Sequence, residues 1–277
     1  MRLGIVALVL VSLSLQACSN IKNIFNEMSN TNSTRNSRDS TAAKPTEKSG
    51  QSAGNGQWGY GPQNGPEKWG YLSPYFATCQ VGTQQSPIDI RYPELWAMPS
   101  LRFNYVTSNA EIINNGHTIQ IAFSAGGSAR VGGAVYNLVE INFHTPSEEK
   151  INGNAFPMSA HFIHKSAEDK IAIVAVMFML GQENKALKPL FDMFPIKQGD
   201  KNFLSEVNPN IFLPPDHGYY AYLGSLTTPP CTEGVRWNVL TQPIEISEAQ
   251  LEGFRKLYPM NARPVQSING RRVFEGM

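Results

Sequence analysis

The run Ala134–Phe143, followed directly by His144, constrains this chain more than any other segment. It reads as a long strand, and successive side chains of a strand point to opposite faces, so Glu140, Asn142 and His144 share one face. Met158–His164 has the same period and sets Ser159 and His161 side by side on its own face. If the two strands are neighbours, two imidazoles converge from adjacent strands, which is the beginning of a zinc site. A catalytic zinc ordinarily takes three protein ligands, and the residue that would complete this row is Asn142. His164 lies three residues beyond His161, so on a regular strand it faces the other way and is expected to be packed.

Further short apolar runs alternate with Gly, Pro, Asn and Asp clusters from Trp58 onward. Strands are expected at Ala110–Ile113, Thr118–Phe123, Ile171–Met179, Val235–Leu240 and Ile244–Ile246. Ser247 with Gln250 three residues later reads as a capping box opening a helix over Glu248–Leu257, with Leu251, Phe254 and Leu257 on one face. A second helix is expected over Asn184–Phe194, although Pro189 sits inside it. The fold class is therefore mixed but sheet-dominated: one domain built on a largely antiparallel sheet with peripheral helices. With 41% hydrophobic and 16% charged residues the chain can bury a substantial core. Its formal charge of +1 and the lack of a basic stripe argue against nucleic acid as a partner.

The N-terminus reads as a targeting segment. Arg2 precedes an apolar run, Leu3–Leu15, too short to span a bilayer, and Leu15-Gln16-Ala17-Cys18 resembles a bacterial lipobox. Residues 1–17 are thus expected to be a signal peptide and Cys18 the lipidated N-terminus of an exported, membrane-anchored protein. Ser19 resembles the outer-membrane sorting pattern, facing the periplasm or the cell surface. Residues 18–57 are polar, rich in Asn, Ser, Thr, Lys and Gly, and are expected to form a flexible tether. The folded domain then spans 58–277. Cys79 and Cys231 remain, and in an oxidising compartment one pair implies one disulfide, which would stabilise the fold by roughly 4–5 kcal/mol on a loop-entropy estimate.

Several blocks together resemble the alpha-class carbonic anhydrases over Trp58 to Val273. They are Trp58-Gly59-Tyr60-Gly61, Asn64-Gly65-Pro66, Gln85-Ser86-Pro87-Ile88-Asp89-Ile90 and Asn114-Asn115-Gly116-His117. His144-Thr145-Pro146-Ser147-Glu148, Met158-Ser159-Ala160-His161, Leu223-Gly224-Ser225-Leu226-Thr227-Thr228-Pro229-Pro230 and Asn261-Ala262-Arg263-Pro264 complete the series. The resemblance implies a central twisted, mostly antiparallel ten-stranded sheet. It also implies a cone-shaped cleft with zinc held by three histidines at its base, where the ion makes water nucleophilic near neutral pH toward carbon dioxide. Cys79 and Cys231 match a pair bridged in many bacterial members.

Residue by residue, the resemblance puts His144 and His161 on two of the family's metal positions and Asn142 on the remaining one. An amide oxygen is a weaker donor than imidazole, and loss of one ligand is expected to weaken zinc on the order of a thousandfold or more. Ser159 stands where the family has an orienting glutamate, and Glu140 where it usually has glutamine. Glu140 is placed to hydrogen-bond the Asn142 amide; a bolder reading makes it a metal ligand. Thr227 and Glu148 match the proton-relay pair, and His117 the residue that shuttles protons to solvent. Its plainer alternative is a surface histidine after an Asn-Gly turn. Tyr60, Asn115 and Gln120 match polar wall positions that order water. Ile163, Ile173, Leu226, Thr228 and Trp237 match the substrate pocket, with the two isoleucines bulkier than the family's valines.

Two functions follow. One is a catalytically silent or severely impaired carbonic anhydrase-like lipoprotein used as a tethered binding module, with zinc occupancy low because of Asn142. The other is a working zinc enzyme that converts carbon dioxide to bicarbonate. The first is the expectation carried forward.

Overall fold

The computed structural model describes residues 56–276. The signal peptide expected at 1–17, the lipidation expected at Cys18 and the expected tether, apart from residues 56 and 57, lie outside the described residues.

The sheet runs through seven principal strands: β1 (Ser108–Asn114), β2 (Ile119–Phe123), β3 (Ala134–His144), β4 (Met158–Lys165), β5 (Ile171–Leu180), β6 (Tyr219–Ser225) and β7 (Glu233–Leu240). Their spatial order is β1-β2-β3-β4-β5-β7-β6, antiparallel throughout except for the parallel β5–β7 pair. Lys201–Val207 extends the β1 edge, and Phe274–Gly276 with Glu94–Trp96 extends the β6 edge, which gives a path of ten strands. Three short strands, Arg102–Tyr105, Gly127–Val131 and Ile244–Ile246, attach beside that ten-stranded path, so among the described residues the whole sheet counts thirteen strands.

The period-2 pattern decides which side chains are buried where. Ile141 and Phe143 of β3, Ala160 and Phe162 of β4, and Val174, Val176 and Phe178 of β5 join the large core on one face. Ile173, Ala175 and Met177 point to the other face, into a smaller core with Val235, Trp237 and Val239 of β7. Burying both faces of β5 requires a nearly continuous apolar run, and Ile171–Leu180 is one. Glu140, Asn142, His144 and His161 are on the face opposite the large core, where the smaller core leaves a cleft open.

A bulge on β3 interrupts the ladder. Ile163 pairs with Glu140 but His164 pairs with Leu138, so Val139 is the extra residue. The bulge lets consecutive residues, Val139 and Glu140, both line the cleft. His164 is turned into the large core, where its Nε2 lies 2.7 Å from the Tyr105 hydroxyl.

The helix at Glu248–Arg255 forms with its capping box, Ser247 and Gln250 bonding reciprocally. The helix expected over Asn184–Phe194 shortens to Lys188–Phe191. Pro189 has no N–H to donate, so it is tolerated in the first turn and excludes a longer helix running through it. Cys79 and Cys231 are bridged.

Candidate metal centre

The cleft is a cavity of about 380 Å³ whose lining includes Trp58, Tyr60, Asn115, His117, Asn142, His144, His161 and Thr227. Ile163, Ile173, Leu226 and Thr228 line it as well. Trp237 is not on the wall: it is buried behind His161, edge-to-face with that imidazole at 5.0 Å, because it belongs to the smaller core.

The two candidate ligands come from adjacent strands, with ring centroids 4.6 Å apart. Nδ1 of His144 donates to the Asn261 carbonyl at 2.8 Å, which leaves the Nε2 lone pair toward the cleft. His161 is arranged the other way round. Its Nε2 lies 3.1 Å from Glu149 Oε2 and 3.4 Å from Ser159 Oγ, so Nδ1 faces inward. Both inward nitrogens sit 3.6 Å from Glu148 Oε2. One donor atom from each of His144, Glu148 and His161 falls within 4.8 Å of the others. Burial pulls the imidazoles down, His144 to about 4 and His161 to about 3, so both are neutral at neutral pH, the form that binds a metal.

Asn142 stands between these residues and a row of polar side chains. Its Nδ2 donates to Glu140 Oε1 at 2.9 Å, Gln120 Nε2 donates to Glu140 Oε2 at 2.6 Å, and Asn115 Nδ2 donates to Gln120 Oε1 at 3.2 Å. Both Glu140 oxygens are therefore occupied by amides, and the bolder reading of Glu140 as a ligand gives way to the hydrogen-bonded one. With its nitrogen held there, Asn142 leaves Oδ1 buried and without a hydrogen-bond partner. Glu148 Oε2 is likewise buried and unpartnered. Two imidazole lone pairs and the orphaned Asn142 oxygen form an acceptor set that a divalent ion fits, while the Glu148 carboxyl behind them is engaged by Thr227 and Arg263. The fit is weaker than with three imidazoles, since the amide oxygen is a neutral, harder donor.

The Glu148 carboxyl is held from two sides. Oε1 accepts from the backbone N–H of Arg263 at 2.7 Å, and the Thr227 side chain lies against the same carboxyl. Burial raises Glu148 to about 7, opposed chiefly by His144, and burial raises Glu149 to about 8. Tyr60 has its hydroxyl buried without a partner, and burial holds its pKa well above the usual value.

His117 is delivered by an Asx turn: Asn115 Oδ1 accepts from the backbone N–H groups of His117 and Thr118, both at 2.9 Å. Gly116 makes the turn possible, since it has φ +85 and an added Cβ would come 2.3 Å from the Gln198 side chain. His117 is stacked against Trp58 and half-buried, with its pKa lowered by that burial.

Two residues in this arrangement carry roles the sequence reading did not assign. Glu149 was hidden beside Glu148, and the only local signal was a pair of adjacent acids inside an otherwise buried segment. By sequence, Asn261 is only a member of the Asn261-Ala262-Arg263-Pro264 motif. It also accepts from the Thr145 N–H and donates to the His117 and Phe143 carbonyls.

Residues 64–277 match the family model described as eukaryotic-type carbonic anhydrase. The chain is 40% identical over 220 residues to a carbonic anhydrase of Neisseria gonorrhoeae, covering 79% of this chain and 87% of that one. A carbonic anhydrase of Nostoc sp. is 37% identical over 227 residues, with coverages of 79% and 86%. Among solved structures, the alpha-carbonic anhydrase of Thermovibrio ammonificans, determined with the inhibitor sulfanilamide, superposes with TM-score 0.78 and 41% identity, over 80% of this chain and all of that one (100%).

Proposed function

The chain belongs to the eukaryotic-type carbonic anhydrase family, and from that premise we propose a silent or severely impaired member, tethered to the membrane as a binding module. The observation that carries this reading is Asn142. It stands in the ligand row with its amide nitrogen engaged by Glu140, so at most its oxygen serves the site. Zinc in this family supplies the Lewis acid that makes water nucleophilic. His144 Nε2 and His161 Nδ1 would hold it, with Asn142 Oδ1 as a weak third donor. The anchor at Cys18 is supported by the lipobox-like Leu15-Gln16-Ala17-Cys18 alone, and the outer-membrane location by Ser19 alone.

The other reading, a working zinc enzyme acting on carbon dioxide and bicarbonate, has its own support. Thr227 lies against Glu148 and His117 lines the cleft, so the groups suited to orient a nucleophile and to pass a proton outward are present. Ile163, Ile173, Leu226 and Thr228 would hold the substrate.

Elemental analysis of the untreated full-length protein, paired with stopped-flow hydration, separates the two. The expected outcome is well below one zinc per chain and hydration little faster than buffer, with Asn142→His restoring part of both. Stoichiometric zinc with brisk turnover in the natural chain would establish the working enzyme instead.

A further inference from the structure

His161 can serve a metal only through Nδ1, so its proton must sit on Nε2. Whatever faces Nε2 therefore decides whether the ring is ready to bind. A serine hydroxyl can donate or accept and does not choose the tautomer; an ionised carboxylate only accepts and does choose it, and a cation held at Nδ1 favours that ionised form against the burial that opposes it. By sequence, Ser159 alone stands in that place. In the structure two side chains reach the same nitrogen from different backbones, Glu149 Oε2 at 3.1 Å and Ser159 Oγ at 3.4 Å.

We propose that Glu149 is the positioning residue of His161: its carboxylate, contributed by the segment after β3, holds the imidazole with Nδ1 toward the cleft. Asn142 is then the one broken position of the metal centre. The inference rests on reading the cleft as a metal centre, and deepens it.

Three observations carry it. Glu149 is fully buried, and its other oxygen, Oε1, has no hydrogen-bond partner, so the side chain is not spent on a structural network. A buried carboxyl with so little compensation costs stability, which a purely structural residue of the same shape would avoid. Finally, His144 is handled by the same logic with a different acceptor, the Asn261 carbonyl at 2.8 Å, so both imidazoles have the outer nitrogen tied and the inner one free.

The test uses the full-length chain carrying Asn142→His, with cobalt(II) as the probe, its affinity read by chelator competition and its geometry by visible absorption. Adding Glu149→Gln, nearly the same shape, should weaken cobalt about 10–100-fold. Exchanging the two side chains, Glu149→Ser with Ser159→Glu, should return the affinity to within a few-fold of Asn142→His alone, since the carboxylate again reaches Nε2. Thermal unfolding of each variant checks that the fold is kept. Equal cobalt affinity with and without Glu149→Gln would overturn the proposal. An Asn142→His protein that binds cobalt no better than the natural chain would overturn the claim of a single broken position. Both comparisons stand apart from the functional reading above, which fails on the zinc content and turnover of the natural chain.

Discussion

Trp58 lies face to face on His117, with ring centroids 3.7 Å apart and planes 8° apart. The stack covers one face of the imidazole at the cleft and contributes to the burial that lowers its pKa. Trp58→Ala should therefore raise the His117 pKa toward the ordinary ~6.5. An NMR titration of the imidazole protons reads this directly; an unchanged value would assign the burial to the remaining walls.

His164 is buried against Tyr105, and desolvation pulls its pKa to about 4. The unfolded chain takes up that proton near pH ~6.5, earlier than the folded one. The stability linked to this residue is thus complete above that pH and is lost as pH falls toward about 4, amounting to about 3 kcal/mol. Urea unfolding between pH 7 and pH 4 should show a shallower acid loss in His164→Gln than in the natural chain. Parallel curves would contradict the assignment.

Asn261 closes the far side of the metal centre by receiving His144 Nδ1–H and by satisfying Thr145 N–H and the Phe143 and His117 carbonyls. Asn261→Ala removes the side-chain partner of the Thr145 N–H and the His117 carbonyl, while the Phe143 carbonyl keeps the Thr118 hydroxyl and His144 keeps the Asn261 carbonyl. A loss of about 2–4 kcal/mol is expected in chemical denaturation. A change under about 0.5 kcal/mol would mean that water replaces the side chain without penalty.

The Cys79–Cys231 bridge closes a sequence separation of 152 residues. Replacing both cysteines by alanine should lower stability by about 4–5 kcal/mol on loop entropy, less any strain the bridge carries. Differential scanning calorimetry of the double variant, with the reduced natural chain as a companion, measures it.

Much of the sheet was legible because period-2 alternation is a local property. β3, β4 and β5 were placed within a residue or two, and the shared face of Glu140, Asn142 and His144 followed from spacing alone. The helix over Glu248–Arg255 was legible for a similar reason: a capping box is written in two residues three apart. The edges were less legible. Only Leu223–Ser225 of the strand Tyr219–Ser225 falls within a recognised motif, and the sequence offers no strand expectation at Lys201–Val207. Edge and short strands carry weak alternation, and their partners supply much of their stability. The helix expected over Asn184–Phe194 is longer than the observed Lys188–Phe191 because Pro189 can sit only in a first turn.

By itself, the sequence determined which donor types stand in the ligand row and that one of them is an amide, because residues two apart on a strand share a face whatever the rest of the chain does. Only the tertiary structure decided how those donors are held. Asn261 reaches His144 across 117 residues, and Glu149 reaches His161 from a neighbouring segment. Glu140 turns both oxygens to amides, one of them on another strand. Such contacts depend on how closely packed segments approach one another, to within an ångström, and spacing along a single chain does not encode that distance.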